Sequence, residues 1–422
     1  MSEWKEVKVG DVVDSISLTH DLKDKNIVLI NTSDVLNGKV LNHKYVKNEN
    51  IKGQFKKTFK EGDILYSEIR PKNKRFAFVD FDASDYVAST KLMVLRRKSE
   101  EINNSFLFKA LSSDRIVNYL QSLAETRSGT FPQITFSELS MLKLTLPSIP
   151  EQKAIAKVLS DLDEKIDINN KINKTLEEMA QAIFKQWFMD FNFPNEDGKP
   201  YKDSGGEMVE SELGLIPKGW QVGCLREMCE ISSSKRIFSK EYVENGVPFY
   251  RSKEVIERSK GNDISTELFI SHDRYEEIKS KFGAPIKGDI LLTSVGTLGV
   301  SYMIQDEEFY FKDGNLTWFK NYKKIEYRNY IFLLINSGIG KEEFSKISIG
   351  STQKALTITS LNRIKIVIPD IVSLKEFMVI SESVLRNIES YRKQTKQLKK
   401  LRDTLLPKLM SGEVSVKYEE EE

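Results

Sequence analysis

At 422 residues, 30% of them charged and 40% hydrophobic, the chain is longer than a single core usually grows, so two domains with connectors are expected. No apolar run approaches the roughly 20 residues that a membrane span needs and the start has no signal-peptide pattern, so a cytoplasmic protein without a membrane partner is expected. The net charge of +2 excludes a chain that is basic throughout, so any nucleic-acid-binding face must be local.

Two runs supply local positive charge, Gln54 to Lys60 and Arg70 to Arg75, and the acidic Glu419 to Glu422 tail offsets them. The two cysteines, Cys224 and Cys229, have no His or Cys cluster nearby that would complete a zinc site, and read as ordinary reduced thiols.

Taken in order, the chain is written twice. Trp4, followed by alternating apolar residues, answers to Trp220, and both open a predicted strand. Ile30 to Leu36 pairs with Tyr250 to Ile256. Gly62-Asp63-Ile64-Leu65 recurs verbatim as Gly288-Asp289-Ile290-Leu291, with Ser or Thr at the strand end in both copies. Helical stretches are predicted at Ser105 to Leu123 and near Asn329 to Ser345. Gly129 to Pro147 corresponds to Gly350 to Pro369, and each segment ends in an alternating run, Leu142 to Leu146 or Ile364 to Ile368. The fold expected is α+β: two similar domains related by a pseudo-twofold internal repeat.

After each copy the apolar period changes from two to a heptad. The first stripe runs through Ile155, Leu159, Leu162, Ile166, Asn169, Asn173, Leu176, Ala180, Ile183 and Trp187, predicting a helix from Glu151 to about Asp190, roughly 60 Å long. The second runs through Phe377, Val384, Ile388, Tyr391, Leu398, Leu405 and Leu409, on a helix from Leu374 to Met410. Their matched lengths favour mutual antiparallel pairing over packing on their own domains, with Asn169 and Asn173 setting register at some cost in stability. Expected boundaries are 1–148 for the first domain, 149–192 for the first helical region, 193–215 for a connector without periodicity, 216–369 for the second domain, 370–412 for the second helical region and 413–422 for the acidic tail.

This order, together with the junction Leu146 to Ile155, the segment Phe193 to Trp220 and Leu401 to Gly412, resembles the specificity subunits of type I restriction-modification systems over essentially the whole chain. One departure is the second junction, Pro369 to Lys375, which lacks the Pro-Glu-Gln of the first and leaves the start of the second helix open. The resemblance implies two target-recognition domains that each read one half of a bipartite double-stranded DNA target, separated by a spacer whose length the paired helices set. It also implies two methyltransferase subunits and added translocase-nuclease subunits as partners. S-adenosylmethionine, ATP and Mg would then belong to those partners and not to this chain.

Catalytic motifs are missing in agreement with that division of labour. There is no Asn-Pro-Pro-Tyr-type methyltransferase motif, no Walker sequence and no Gly-rich cofactor loop after a strand, so no cofactor is expected in this chain. Pro369-Asp370 has no Glu-x-Lys after it and reads as a turn rather than a nuclease signature. His20, His43 and His272 are scattered, without a companion nucleophile, and no catalytic or metal residue is assigned.

Bases are read by side chains at groove edges, and phosphates by Lys, Arg, Ser and Thr, so the loops joining strands are the candidates. In the first copy these are Ser67, Arg70, Lys72, Lys74 and Arg75, with Thr130 and Gln133 in the later turn. In the second they are Thr293, Ser294 and Thr297, then Ser351, Thr352, Gln353 and Lys354, with Arg251 and Lys253 beyond. Arg70 suits guanine and Gln353 suits adenine. RPKNKRF differs from VGTLGVS, so unlike half-sites and an asymmetric target are expected. The alternative from another class is a scaffold that bridges proteins without touching nucleic acid.

Overall fold

The computed structural model describes residues 4–21, 26–49, 53–126, 132–264, 266–350 and 354–417. It divides into two compact units, one of Met1–Ile166 with Gln397–Glu422 and one of Asp167–Lys396.

In the first unit, the predicted opening strand Lys5–Lys8 pairs antiparallel with Lys143–Leu146, the alternating run at the end of the copy. The central antiparallel sheet has the order Val13–Ile16, Leu92–Arg97, Ile64–Ser67 and Phe76–Phe78. A second sheet, ordered Tyr45–Lys47, Asn26–Ile30, Tyr86–Ser89 and Phe55–Thr58, contains one parallel pair. Ile64 and Tyr66 face one core, with Phe106, Leu111 and Ile155, while Leu65 faces the other, with Val28 and Ala88. This period-two alternation is what a strand buried on both faces requires.

The second unit repeats the plan. Gln221–Cys224 pairs with Lys365–Ile368, and the central sheet has the order Glu230–Ser232, Leu316–Lys320, Ile290–Thr293 and Ser301–Met303. Its second sheet again contains one parallel pair, Val247–Tyr250 with Tyr310–Phe311. The chief departure is a helix, His272–Phe282, in the part of the copy where the first unit has the Phe55–Thr58 strand.

Each predicted helical stretch is two helices. Asn104–Ser112 gives way to Asp114–Glu125 at Ser113, and Tyr327–Asn336 to Gly338–Ile347 at Ser337. Both serines are extended, and their hydroxyls bond the carbonyl three residues back, Ala110 at 2.7 Å and Leu334 at 2.6 Å. Serine competes with the helical ladder in this way, and continuous apolar periodicity hides the break. The connector 193–215 also departs from a loop without strands: Met208–Ser211 and Gly214–Pro217 form a hairpin across its end.

The long helices are Ile149–Phe188 and Ile371–Ser411. Gln152 explains the first junction: fully buried, it donates to the carbonyls of Glu101 and Pro147 at 2.9 Å and accepts from the Asn103 amide at 2.8 Å. At the second junction Asp370 caps the helix, accepting from the amides of Val372 and Ser373 at 2.8 and 3.0 Å and from the Trp220 indole at 2.6 Å. The helix therefore starts before the expected Leu374.

Within the second unit the helices run antiparallel, since Asn169 bonds Gln394 at 2.8 Å, Glu177 meets Arg392 at 2.8 Å and Trp187 packs on Phe377. Within the first, Ile155 and Leu159 share a core with Leu405 and Leu409, and Asp163 joins Arg402 at 2.8 Å. Of the predicted stripe, Ile155, Leu159, Ile166 and Ile388 are buried, while Leu162, Leu176, Ile183, Val384, Tyr391, Leu398 and Leu405 are half-buried. The stripe also packs on the globular cores, through Phe184 and Phe188, which the heptad reading left out.

Candidate nucleic-acid interface

The two central sheets end in the same way. In the first unit the Ile64–Ser67 strand leads into a tight loop in which Arg70 and Lys74 both adopt left-handed backbone. The loop is stitched to the segment before the Phe136–Ser140 helix by the bridge Ile69 to Gln133 and by the Arg70 amide on the Pro132 carbonyl at 3.0 Å. The Lys72 amide donates to Gln121 at 3.1 Å. In the second unit Val295 bridges Ala355, and the Leu356 amide donates to the Ser294 carbonyl at 2.9 Å. Two loops far apart in sequence thus meet at one sheet end, in both copies.

The candidates divide by what their side chains already do. Ser67, Thr293 and Ser294 are a correction to the sequence reading, because all three are buried and their hydroxyls are used internally. The Ser67 hydroxyl accepts from the Ile69 amide at 3.1 Å, that of Thr293 accepts from the Val300 amide at 2.9 Å, and that of Ser294 bonds the Thr317 hydroxyl at 2.5 Å. They shape the loops and offer nothing to a ligand outside. Arg75 and Arg251 are likewise engaged: Arg75 donates to the carbonyls of Ser33 and Val35, and Arg251 grips the buried Glu254 carboxylate at 2.8 Å. That Arg251 bond raises the guanidinium's pKa, and the same contacts hold the Glu254 carboxyl below its ordinary value despite burial.

Arg70, Lys72, Lys253, Thr297 and Lys354 are exposed, and Gln133 is half-buried. Lys74 is held by Asp114 at 2.7 Å on the surface. Thr130, Ser351, Thr352 and Gln353 lie outside the described residues.

Sequence reasoning missed several cations at this sheet end. Lys57, in the flagged basic run, donates to the carbonyls of Thr90 and Leu92 at 3.0 and 2.8 Å; burial pushes its ammonium pKa down, and the Glu68 carboxylate opposes this. Lys91 stands 3.6 Å from Glu68. In the second unit Lys235, Arg236 and Lys312 are exposed around the turn that opens the Leu316–Lys320 strand. Alternation locates strands, but it does not say which of their ends come together.

A twice-built α+β unit of this kind matches the family model of the type I restriction modification DNA specificity domain, which fits residues 1–178 and again 217–400. The chain belongs to that family. It is 30% identical to the type I restriction enzyme HindI specificity subunit of Haemophilus influenzae, covering 98% of this chain and 100% of that one. It is 29% identical to the MjaIX specificity subunit of Methanocaldococcus jannaschii over 74% of this chain and 69% of that one. The crystal structure of a type I restriction-modification S subunit from M. genitalium shares the fold, with a TM-score of 0.56 at 18% identity, covering 96% of both chains. No helix among the described residues is long and apolar enough to cross a membrane.

Proposed function

We propose that this chain is the DNA-reading subunit of a type I restriction-modification complex. Each copy reads one half of a split, asymmetric target, and the antiparallel helix pair sets the gap between the halves. The observation that carries this reading is a loop cluster built alike at both sheet ends, through Ile69 to Gln133 and Val295 to Ala355, but filled with unlike side chains. A shared frame with different contents is what reading two different half-sites demands.

Arg70, Lys72, Gln133, Lys253, Thr297 and Lys354 are the reading and phosphate-contacting groups from the described residues, joined by Thr130, Ser351, Thr352 and Gln353. Methylation of adenine and cleavage fall to partners in the cytoplasm: two methyltransferase subunits using S-adenosylmethionine, and translocase-nuclease subunits using ATP and Mg. Family membership and the full-length match to a specificity subunit support this division.

The test is to co-express the chain with its methyltransferase subunit and map methylated adenines across the genome. One split motif with a fixed gap and unlike halves is expected. Unpatterned methylation despite a stable complex would favour a protein-bridging scaffold, and identical halves would refute the asymmetry.

A further inference from the structure

The loop after the Glu230–Ser232 strand carries groups that the sequence candidates do not include. It is pinned along its length: the Ser234 hydroxyl donates to the Phe311 carbonyl at 2.7 Å, the Lys235 amide to the Tyr310 hydroxyl at 2.8 Å, and Arg236 to Asp313 at 2.8 Å. Ile237 is buried, and the Phe238 amide donates to Glu241 at 2.7 Å. Nothing in this web engages the Phe238 ring, which is 56% exposed and makes no aromatic contact among the described residues.

A single exposed apolar side chain is ordinary. This one sits on a hydrogen-bonded loop that also carries cations without a carboxylate partner. Lys235 and Lys240 are exposed and have no carboxylate within 4.0 Å among the described residues, and the Lys235 ammonium lies 4.9 Å from the centroid of Phe282, itself 49% exposed. The loop also belongs to the sheet end described above: the Ser233 hydroxyl accepts from the Gly314 amide, and the neighbouring Asn315 carbonyl accepts from the Ser294 amide at 2.9 Å. Where the first copy follows its matching strand, Val13–Ile16, the exposed apolar residue is Leu18, with no ring.

A polyanion with stackable rings satisfies both features at once, since phosphates take the unpaired ammonium groups and a base step takes the ring. We infer that Phe238 wedges against a base step of bound duplex DNA while Lys235 and Lys240 contact the flanking phosphates. The inference rests on the DNA-reading function proposed above. It makes the distortion one-sided, confined to the half-site read by the second copy.

The experiment uses the full chain assembled with its methyltransferase subunits, and duplexes of the mapped target carrying 2-aminopurine at successive positions. Besides the rise at the adenines that the methyltransferase flips out for methylation, the wild-type complex should raise fluorescence at one further step, in one half-site only. Phe238→Ala should lose the rise at that step and bind roughly tenfold more weakly, and Phe238→Trp should restore both. Lys235→Ala should lower the slope of log affinity against log salt by about 1. A Phe238→Ala complex that binds and fluoresces like the wild type overturns the inference. So does a variant that binds duplex normally but no longer co-purifies with the methyltransferase, which would assign the ring to a protein contact. Absence of salt-dependent duplex binding by the wild type would instead overturn the DNA-reading function itself, and this inference with it.

Discussion

The same four residues, Gly-Asp-Ile-Leu, open the same central strand in both units, yet the two aspartates are held by different chemistry. Asp63 is buried under a two-pronged contact from Arg96 at 2.8 and 2.7 Å, and accepts from the Lys60 amide at 2.8 Å. Asp289 is equally buried, but its partners are the neutral Trp318 indole at 2.8 Å and the Ile286 amide at 3.1 Å. The motif fixes a turn and a strand start, and each copy has found its own way to satisfy the buried carboxylate. The loops beyond differ in the same spirit: Arg70 and Lys74 hold left-handed backbone in the first unit, where the second uses Gly296 and Gly299.

The sharpest break of this comparison is in what the long helices bury: Ile155, Leu159 and Leu409 in the first unit, but Phe184, Trp187, Phe188 and Phe377 in the second. Phe188 is buried among Phe184, Trp220, Tyr330 and Phe377. Phe188→Ala should cost about 3–5 kcal/mol and raise hydrogen exchange in 167–396 while leaving the strands of the first unit protected. Equal deprotection of both units would show that they do not unfold separately.

Next in size is Asp63→Ala, which strands a partly buried guanidinium and should cost about 2–4 kcal/mol by denaturant unfolding. Asp289→Asn keeps an acceptor for the indole and should cost under about 1 kcal/mol. Their pH behaviour should differ too. Burial raises the Asp289 pKa in the fold, with the Ile286 amide and Trp318 opposing it. The folded state thus holds that proton more readily than the unfolded chain. Relative to Asp289→Asn, wild-type stability should therefore fall as pH rises from the ordinary aspartate range through the raised value, and level off above it. A difference that grows with rising pH would refute the assignment.

The smallest effects are in the loops. Gly296 has a φ of +81° with open space around it, so Gly296→Ala should cost about 1 kcal/mol from backbone strain alone. Lys74→Gly should be near neutral in a thermal melt, relief of a similar strain being offset by loss of the exposed Asp114 pair, worth under about 1 kcal/mol.

Much of the fold was legible because it was written twice. Strand starts at Trp4 and Trp220, the repeated Gly-Asp-Ile-Leu and the heptad stripes are local patterns, and periodicity reports them directly. The breaks at Ser113 and Ser337 were not legible, since one residue changes conformation while the apolar spacing runs on. The candidate site was half legible: the loops chosen do meet at one sheet end in each copy, but polarity alone cannot separate a hydroxyl that faces solvent, as at Thr297, from one turned inward, as at Ser67 or Thr293. Lys235 and Arg236 escaped notice because their loop is brought to the site by pairing between the Glu230–Ser232 and Leu316–Lys320 strands and by bonds to Tyr310, Phe311 and Asp313, all set by distant residues.

The first unit closes on residues from both ends of the chain: Leu405 and Leu409 complete its core, and Gly412 lies so near the Trp4 ring that a Cβ there would stand 3.3 Å from it. The second unit is one uninterrupted stretch. On the ribosome, then, the half made first is finished last, waiting with an incomplete core until residues beyond Gln397 emerge, while the half made second folds without delay. Loss of the final helix turns should accordingly be felt in the domain that begins the chain.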